Sequence, residues 1–131
     1  MIAPVVPFSV KGAIWYQGES NVGEGMAYHD KMKALIAGWR DVFKNDDLSF
    51  YFVQIAPYRY NKGEALPNIW EAQTTTLKVP GTGMAVITDV GNIQDIHPGI
   101  SRQWEKDWLC GHWLKTMGKK RSHFRGPYTN R

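Results

Sequence analysis

The segment that most constrains the fold of this chain runs from Lys11 to Asn21 and has the sequence KGAIWYQGESN. Its apolar residues at positions 13–16 are rich in aromatic and β-branched side chains, which predicts a β-strand. The strand ends at the polar residues Gln17–Asn21, and a helix-like segment follows from about Met26. This order places polar side chains at the carboxyl end of a parallel sheet, where open α/β folds bind ligands.

Strand and helix patterns alternate along the following residues. From Met26 to Phe43 apolar residues recur at spacings of three and four, which predicts an amphipathic helix. Residues 49–56, SFYFVQIA, are almost continuously apolar, as in a parallel strand that is buried on both faces. A second helix is predicted over Asn68–Leu77 and a third strand over Met84–Thr88. The expected fold is therefore α/β, with helices packed on a parallel sheet.

Length and composition limit the chain to one modest domain. It has 131 residues, of which 43% are hydrophobic, enough for a single core. No apolar run approaches the roughly 18 residues of a membrane-spanning helix, and the opening residues do not resemble a signal peptide. The single Cys110 excludes an internal disulfide.

Positive charge is concentrated at the end of the chain. Residues 100–131 contain 8 Lys and Arg against 2 Asp and Glu, whereas residues 1–99 contain 8 against 10. A basic tail can contact nucleic acid or a membrane, but no recognisable nucleic-acid-binding module accompanies this one. We therefore expect a solvated or aberrant tail, and neither nucleic acid nor a membrane as a partner.

His97 is the strongest single candidate for a catalytic residue. It follows the third predicted strand by a short loop, with Asp95 two residues before it and Pro98 after it. A histidine base needs a carboxylate to fix its tautomer, and Asp95 or Asp89 could supply one. A single loop histidine is also common at protein surfaces. The spacing of the four histidines does not suggest a metal site, and no cofactor is expected.

Ser20 is a second candidate, as a nucleophile. The chain order Ser20, Asp89, His97 matches that of an α/β-hydrolase triad. The sharp turn that exposes such a serine needs a glycine two residues later, where this chain has Val22. The pattern therefore supports Ser20 only weakly.

The turn at Gln17–Asn21 also allows two other interpretations. Gly18 offers a backbone N–H, while Gln17 and Asn21 offer side-chain amides, and such donors at a strand end suit an oxyanion hole. The turn could instead only cap the helix that follows it. The residues alone leave these alternatives open.

Five blocks of this sequence resemble the sialate O-acetylesterase family of SGNH-type hydrolases. They lie within residues 2–99 in the family's order and approximate spacing, and they read IAPVVPFSVKGAIWYQGESN, FYFVQIAPY, WEAQ, GMAVITDVG and DIHPG. The resemblance implies an incomplete three-layer α/β/α parallel sheet of the flavodoxin-like type. It also implies hydrolysis of acetyl esters on sugar hydroxyls by serine, histidine and usually aspartate, without a metal.

The same resemblance implies roles for individual residues. His97 would be the general base. Many SGNH enzymes place the acid three residues before the histidine, where this chain has Gln94, so we prefer Asp95 and keep Asp89 as the alternative. The Gln17–Asn21 turn would lie in the active site.

Within that turn, Gly18 and an amide side chain would lie near the oxyanion. Glu19 would organise the turn, and Ser20 would be a turn residue rather than the nucleophile.

One departure from the family concerns the nucleophile. The family's serine lies in a GQSN-like block near the start of the domain, and no such block occurs in these 131 residues. We therefore expect residues 1–99 to be a partial catalytic domain that is inactive alone. An esterase that uses Ser20 and a non-catalytic carbohydrate-binding fragment are the alternatives. The family is commonly exported or lysosomal, which implies a periplasmic, extracellular or lysosomal parent.

The second departure is the aberrant basic tail at 100–131, which we interpret as a frameshifted version of the family's ending. With permitted codons, one nucleotide string encodes both this tail and a family-like ending in adjacent frames. Sequencing the gene is expected to reveal an insertion or deletion near codon 99 relative to close relatives. An intact frame in that alignment would contradict the hypothesis.

Overall fold

The computed structural model describes residues 3–6, 8–60, 64–88 and 93–94, all within the compact unit Met1–Pro98. Three strands and two helices alternate in this part of the chain: β1 (Gly12–Trp15), α1 (Ala27–Phe43), β2 (Ser49–Val53), α2 (Ala65–Thr76) and β3 (Thr82–Ala85). Neither of these helices has the length and apolar character that crossing a bilayer requires. The tail at 100–131 lies outside the described residues.

The three strands form one sheet in the order β1-β2-β3. Both neighbouring pairs are parallel, with Ala13 opposite Phe50 and Phe50 opposite Thr82. Parallel neighbours need a crossover connection, which α1 and α2 provide. Because the two crossovers run in the same direction and such connections are right-handed, both helices lie on one face of the sheet. The predicted parallel α/β architecture is confirmed.

The core lies between this face and the two helices. Phe50 and Phe52 of β2 are fully or almost fully buried, and they share one apolar cluster with residues of β1 and both helices. Complete burial of one such side chain contributes about 1.5–3 kcal/mol relative to exposure. The helix residues of this cluster are Tyr28, Met32, Ile36, Ile69 and Ala72.

The central strand β2 is buried on both of its faces, as its continuous apolar sequence predicts. The second face carries Tyr51, which lies opposite Gly83 of β3. The Tyr51 ring covers Gly83 so closely that a Cβ at position 83 would lie 2.7 Å from Tyr51 Cδ1. The glycine in β3 is therefore required by its neighbour on β2.

Three elements differ by more than one residue from the bounds predicted for them. Strand β2 ends at Val53 instead of Ala56. Helix α2 begins at Ala65 instead of Asn68, because Pro67 is tolerated in the first helical turn. Strand β3 covers Thr82–Ala85 instead of Met84–Thr88. The sequence Pro-Gly-Thr-Gly indicated a turn as far as Gly83, but that residue already pairs with β2.

At the amino-terminal ends of the strands, Arg40 of α1 joins the entrances to β2 and β3. Its Nε and Nη2 atoms donate to the carbonyl oxygen of Leu48 at 3.2 and 3.1 Å. Nη2 also donates to the carbonyl oxygen of Pro80 at 2.6 Å. The guanidinium thus fastens one helix to two strands through main-chain acceptors.

Substituting alanine at two glycines is expected to have opposite effects on stability. Gly83→Ala forces a methyl group against the Tyr51 ring and should lower the free energy of unfolding by about 1–3 kcal/mol. Gly38→Ala lies in α1 where a Cβ meets nothing within 4 Å, so it should raise that energy by about 0.5–1 kcal/mol. Urea unfolding followed by tryptophan fluorescence measures both. Equal effects at the two positions would contradict the close packing at Gly83.

Candidate active site

The chain leaves β1 at Tyr16 and enters a tight polar turn at the carboxyl end of the sheet. Residues Glu19–Asn21 form one 3-10 turn, in which the Asn21 N–H donates to the Gly18 carbonyl at 2.8 Å. The Gln17 side chain spans the same turn, donating from Nε2 to Asn21 Oδ1 at 2.8 Å. These two hydrogen bonds hold Gln17–Asn21 in a single compact conformation.

Gly18 occupies a position that favours glycine strongly. Its φ of +145° is one that other residues rarely adopt, and a Cβ there would lie 3.0 Å from both Ile55 Cδ1 and Tyr28 Oη. Although an unobstructed oxyanion donor is expected at Gly18, its N–H donates to Glu19 Oε2 at 3.0 Å. This amide becomes available to another anion only when the Glu19 carboxylate moves.

Tyr28, in the first turn of α1, fixes the turn against the core. Its side chain is buried, and its hydroxyl donates to the Gln17 carbonyl at 2.6 Å. Burial raises the pKa of Tyr28 to about 12, and the charge of Glu19 acts in the same direction, while Trp15 and Gln73 oppose the shift. The Tyr28 hydroxyl therefore remains a hydrogen-bond donor at every physiological pH.

The end of β2, which packs against Gly18, is held by two side chains of α2. Gln73 is almost fully buried. It accepts from the Ile55 N–H at Oε1, 3.0 Å away, and donates from Nε2 to the Val53 carbonyl at 3.3 Å. Trp70 Nε1 donates to the Ile55 carbonyl at 2.8 Å. These bonds satisfy main-chain groups of Val53, the last residue of the strand, and of Ile55, two residues beyond it.

Tyr16 and Tyr60 lie near Glu19, and Tyr58 packs against Tyr60. We call Tyr16, Tyr58 and Tyr60 the tyrosine rim. The rings of Tyr58 and Tyr60 meet edge to face, with centroids 5.1 Å apart. Burial and the negative charge of Glu19 raise the pKa of Tyr16, and the same two causes raise the pKa of Tyr60 to about 12. The Glu19 carboxylate is therefore close to both phenols, and the rim borders the polar turn.

Ile93, in the short described segment that precedes the predicted DIHP motif, lies beside the rim. The Arg59 N–H donates to the Ile93 carbonyl at 3.0 Å, which joins the loop after β2 to the segment that leads to His97. His97 itself lies outside the described residues, as do both candidate acids, Asp89 and Asp95. Their roles therefore stay predictions.

Ser20 is exposed in the turn. Among the described residues, its hydroxyl makes no side-chain hydrogen bond that would activate it as a nucleophile. The histidine in the described ranges is His29, whose Nδ1 contacts Thr76 Oγ1 at 3.0 Å between the two helices. That contact is part of helix packing and contributes nothing to the turn.

The described turn combines amide hydrogen-bond donors with one carboxylate, that of Glu19. The structure brings together all five predicted turn residues, Gln17–Asn21, at the end of β1. Within the described ranges, no group of three or more His, Cys, Asp or Glu side chains is arranged to hold a metal ion. Both of its candidate donors already have a partner within the turn, Asn21 Oδ1 for Gln17 Nε2 and Glu19 Oε2 for the Gly18 N–H.

Two residues that organise the site were not assigned a role from the sequence. Tyr28 falls within the first predicted helix and Gln73 within the second, and neither was singled out there. A signal was present for Gln73, since a glutamine on an otherwise apolar helix face must find partners when buried. Its partners in the chain could not be identified without the fold.

Comparison with known proteins gives one consistent result. The family model described as "Carbohydrate esterase, sialic acid-specific acetylesterase" matches residues 3–103. The sialate O-acetylesterase of Rattus norvegicus is 31% identical over 97% of this chain and 27% of its own length. The Homo sapiens sialate O-acetylesterase is 29% identical over 97% of this chain and 28% of its own length.

A solved structure also matches this fold. The crystal structure of a carbohydrate acetylesterase from Xanthomonas citri superposes with a TM-score of 0.82 and 37% sequence identity. The match covers 92% of this chain and 29% of that one. The chain thus spans less than a third of the length of the relatives that it matches.

Removal of the Tyr28 hydroxyl tests how the turn is held. Tyr28→Phe leaves the Gln17 carbonyl without its donor, so the free energy of unfolding at pH 7 should fall by about 1–2 kcal/mol. Chemical denaturation of both proteins measures the difference. An unchanged free energy would mean that this hydrogen bond does not stabilise the turn.

Tyr28→Phe should also change how the free energy of unfolding depends on pH in the alkaline range. The phenol of Tyr28 ionises at 10.0 when unperturbed and at about 12 in the folded protein, so its contribution is complete below pH 10. Above that pH the unfolded chain releases the proton first, and stability falls until the folded phenol also ionises. Tyr28→Phe should lose less stability than the wild type over this range. Parallel losses would contradict the raised pKa.

Proposed function

The chain belongs to the sialic acid-specific acetylesterase family of carbohydrate esterases, and from this membership we propose that it contributes to an active site that removes acetyl groups from sugar hydroxyls. The proposed substrate is an acetylated sugar, as the names of the matched relatives suggest. Export of the enzyme from the cytoplasm, which the family resemblance implies, remains a prediction.

The observation that carries this proposal is the bond between Arg59 N–H and the Ile93 carbonyl. It ties the chain before His97 to the loop that bears the tyrosine rim, at the same end of the sheet as the polar turn. His97 is four residues beyond Ile93, and four residues of extended chain span at most about 14 Å. This reach supports a common cleft for the imidazole and the Gln17–Asn21 turn.

In the proposed reaction a serine hydroxyl attacks the acetyl carbonyl, and His97 accepts its proton. His97 then returns the proton to the sugar oxygen that leaves, and water releases acetate from the acyl-enzyme by the reverse sequence of transfers. We propose Asp95 as the acid that orients His97, with Asp89 as the alternative. The exposed Ser20, which has no activating side-chain partner in the described ranges, is not favoured as the nucleophile.

The turn is proposed to stabilise the negative oxygen of the tetrahedral intermediate. A side-chain amide carries two N–H groups, and Gln17 uses Nε2 in its bond to Asn21 Oδ1. The second N–H of that nitrogen is the donor we propose. The Gly18 N–H can join it when Glu19 releases it. One donor of this kind lowers the barrier by about 3–4 kcal/mol.

Replacement of the histidine tests the mechanism. Residues 3–99 of this chain would replace the matching segment in the Xanthomonas citri acetylesterase. Acetate release from an O-acetylated sugar by this chimera would then be measured. We expect His97→Ala to lower kcat by about 100- to 10,000-fold, because proton transfer to and from the reacting oxygens is lost.

His29→Ala is the matched control in the same chimera. This histidine contacts Thr76 between the helices, so its loss should lower stability and leave kcat nearly unchanged. Retention of most activity in His97→Ala, or an equal loss in both variants, would remove His97 from the proposed mechanism.

A further inference from the structure

We propose that the tyrosine rim is a subsite that binds the pyranose ring of the saccharide, next to the polar turn that acts on its acetyl group. The inference rests on the proposed function, since it assumes a saccharide in this cleft. Beyond that function, it assigns the residues that would bind the sugar ring while the ester lies at the turn.

The rim has the geometry of a preformed aromatic surface. Tyr58 and Tyr60 pack edge to face with an interplanar angle of 79°. A hydrogen bond of 2.8 Å from the Tyr60 N–H to the Tyr58 carbonyl holds the two residues in a tight turn. Tyr60 also packs against the hydrophobic core. The two rings are therefore fixed by protein contacts before any ligand arrives.

The rim lies next to the polar turn, where a substrate whose acetyl group contacts the turn would have its sugar ring. Tyr16 directly precedes Gln17, and its side chain is 37% exposed. The Glu19 carboxylate is close enough to Tyr16 and Tyr60 for its charge to act on both. A sugar whose acetyl group reaches the Gln17 amide would thus have its ring beside these phenols.

Packing alone does not account for the tyrosines. The Tyr60 hydroxyl is buried and has no hydrogen-bond partner among the residues that the structure describes, so phenylalanine would fill the same space at lower cost. Tyr58 is only half-buried. Aromatic rings with accessible faces in a cleft are a frequent element of small-molecule sites.

The chemistry of a pyranose suits such a surface. One face of the ring presents C–H groups with partial positive charge, and the face of an aromatic ring is negative. The sugar hydroxyls, directed outward, can meet polar neighbours such as the Arg59 guanidinium, which has no ion-pair partner within the described ranges. The expected ligand is a sugar ring with one apolar face.

Binding of a sugar without an ester tests the subsite independently of catalysis. N-acetylneuraminic acid would be titrated into the 131-residue chain, and the Kd measured from chemical-shift changes of the tyrosine rings. Tyr58→Ala is expected to weaken binding about tenfold, whereas Tyr58→Phe, which keeps the ring, should stay within about twofold. Phe8→Ala removes an exposed ring before β1, at the opposite end of the sheet, and should leave Kd unchanged.

Two results would overturn the proposal. One is an equal Kd for the wild type and Tyr58→Ala, and the other is no binding of the sugar by the wild type in the millimolar range. Neither result depends on acetate release, which tests the proposed function through His97. If binding depends on the Tyr58 ring while the His97→Ala chimera remains fully active, the sugar subsite is supported and the proposed hydrolytic mechanism is rejected.

Discussion

Where the strand ladder of this protein stops, side chains from the helices take over the hydrogen bonding of the main chain. Beyond Val53 the backbone remains buried, and each buried main-chain group left unpaired would cost about 1–3 kcal/mol. Gln73 and Trp70 pair with main-chain groups of Val53 and Ile55 at the end of β2, and Tyr28 pairs with Gln17 after β1. The candidate site is therefore positioned by the same helices that close the core.

Glu19 gives this site a particular electrostatic character. Its carboxylate occupies the N–H of Gly18, which is where a reacting oxyanion would also bind. In the proposed reaction the two anions would compete for this one donor, because like charges at one site repel each other. The Gln17 amide does not take part in this competition. In the proposed reaction it would therefore be the donor that needs no rearrangement of Glu19.

The sequence alone predicted the parallel α/β architecture and the position of the polar turn after β1. The continuous apolar character of β2 predicted a parallel strand, since only burial on both faces makes such a run favourable. Gly83 was misinterpreted because the reason for it is the ring of Tyr51 on the neighbouring strand. The partners of Gln73 were unpredictable for the same reason. Contacts between distant segments follow from the fold, while periodicity and turn chemistry are local properties.

The three hydrogen bonds of Arg40 have a consequence for how this sheet can diverge over evolutionary time. Their acceptors are carbonyl oxygens of Leu48 and Pro80, which every amino acid at those positions would provide. The side chains in the segments that enter β2 and β3 can thus change while the hydrogen bonds from Arg40 remain. Arginine itself is less replaceable, because lysine offers a point charge in place of a rigid fork of donors. At this end of the molecule, two positions that accept many side chains therefore lie next to an arginine that accepts few replacements.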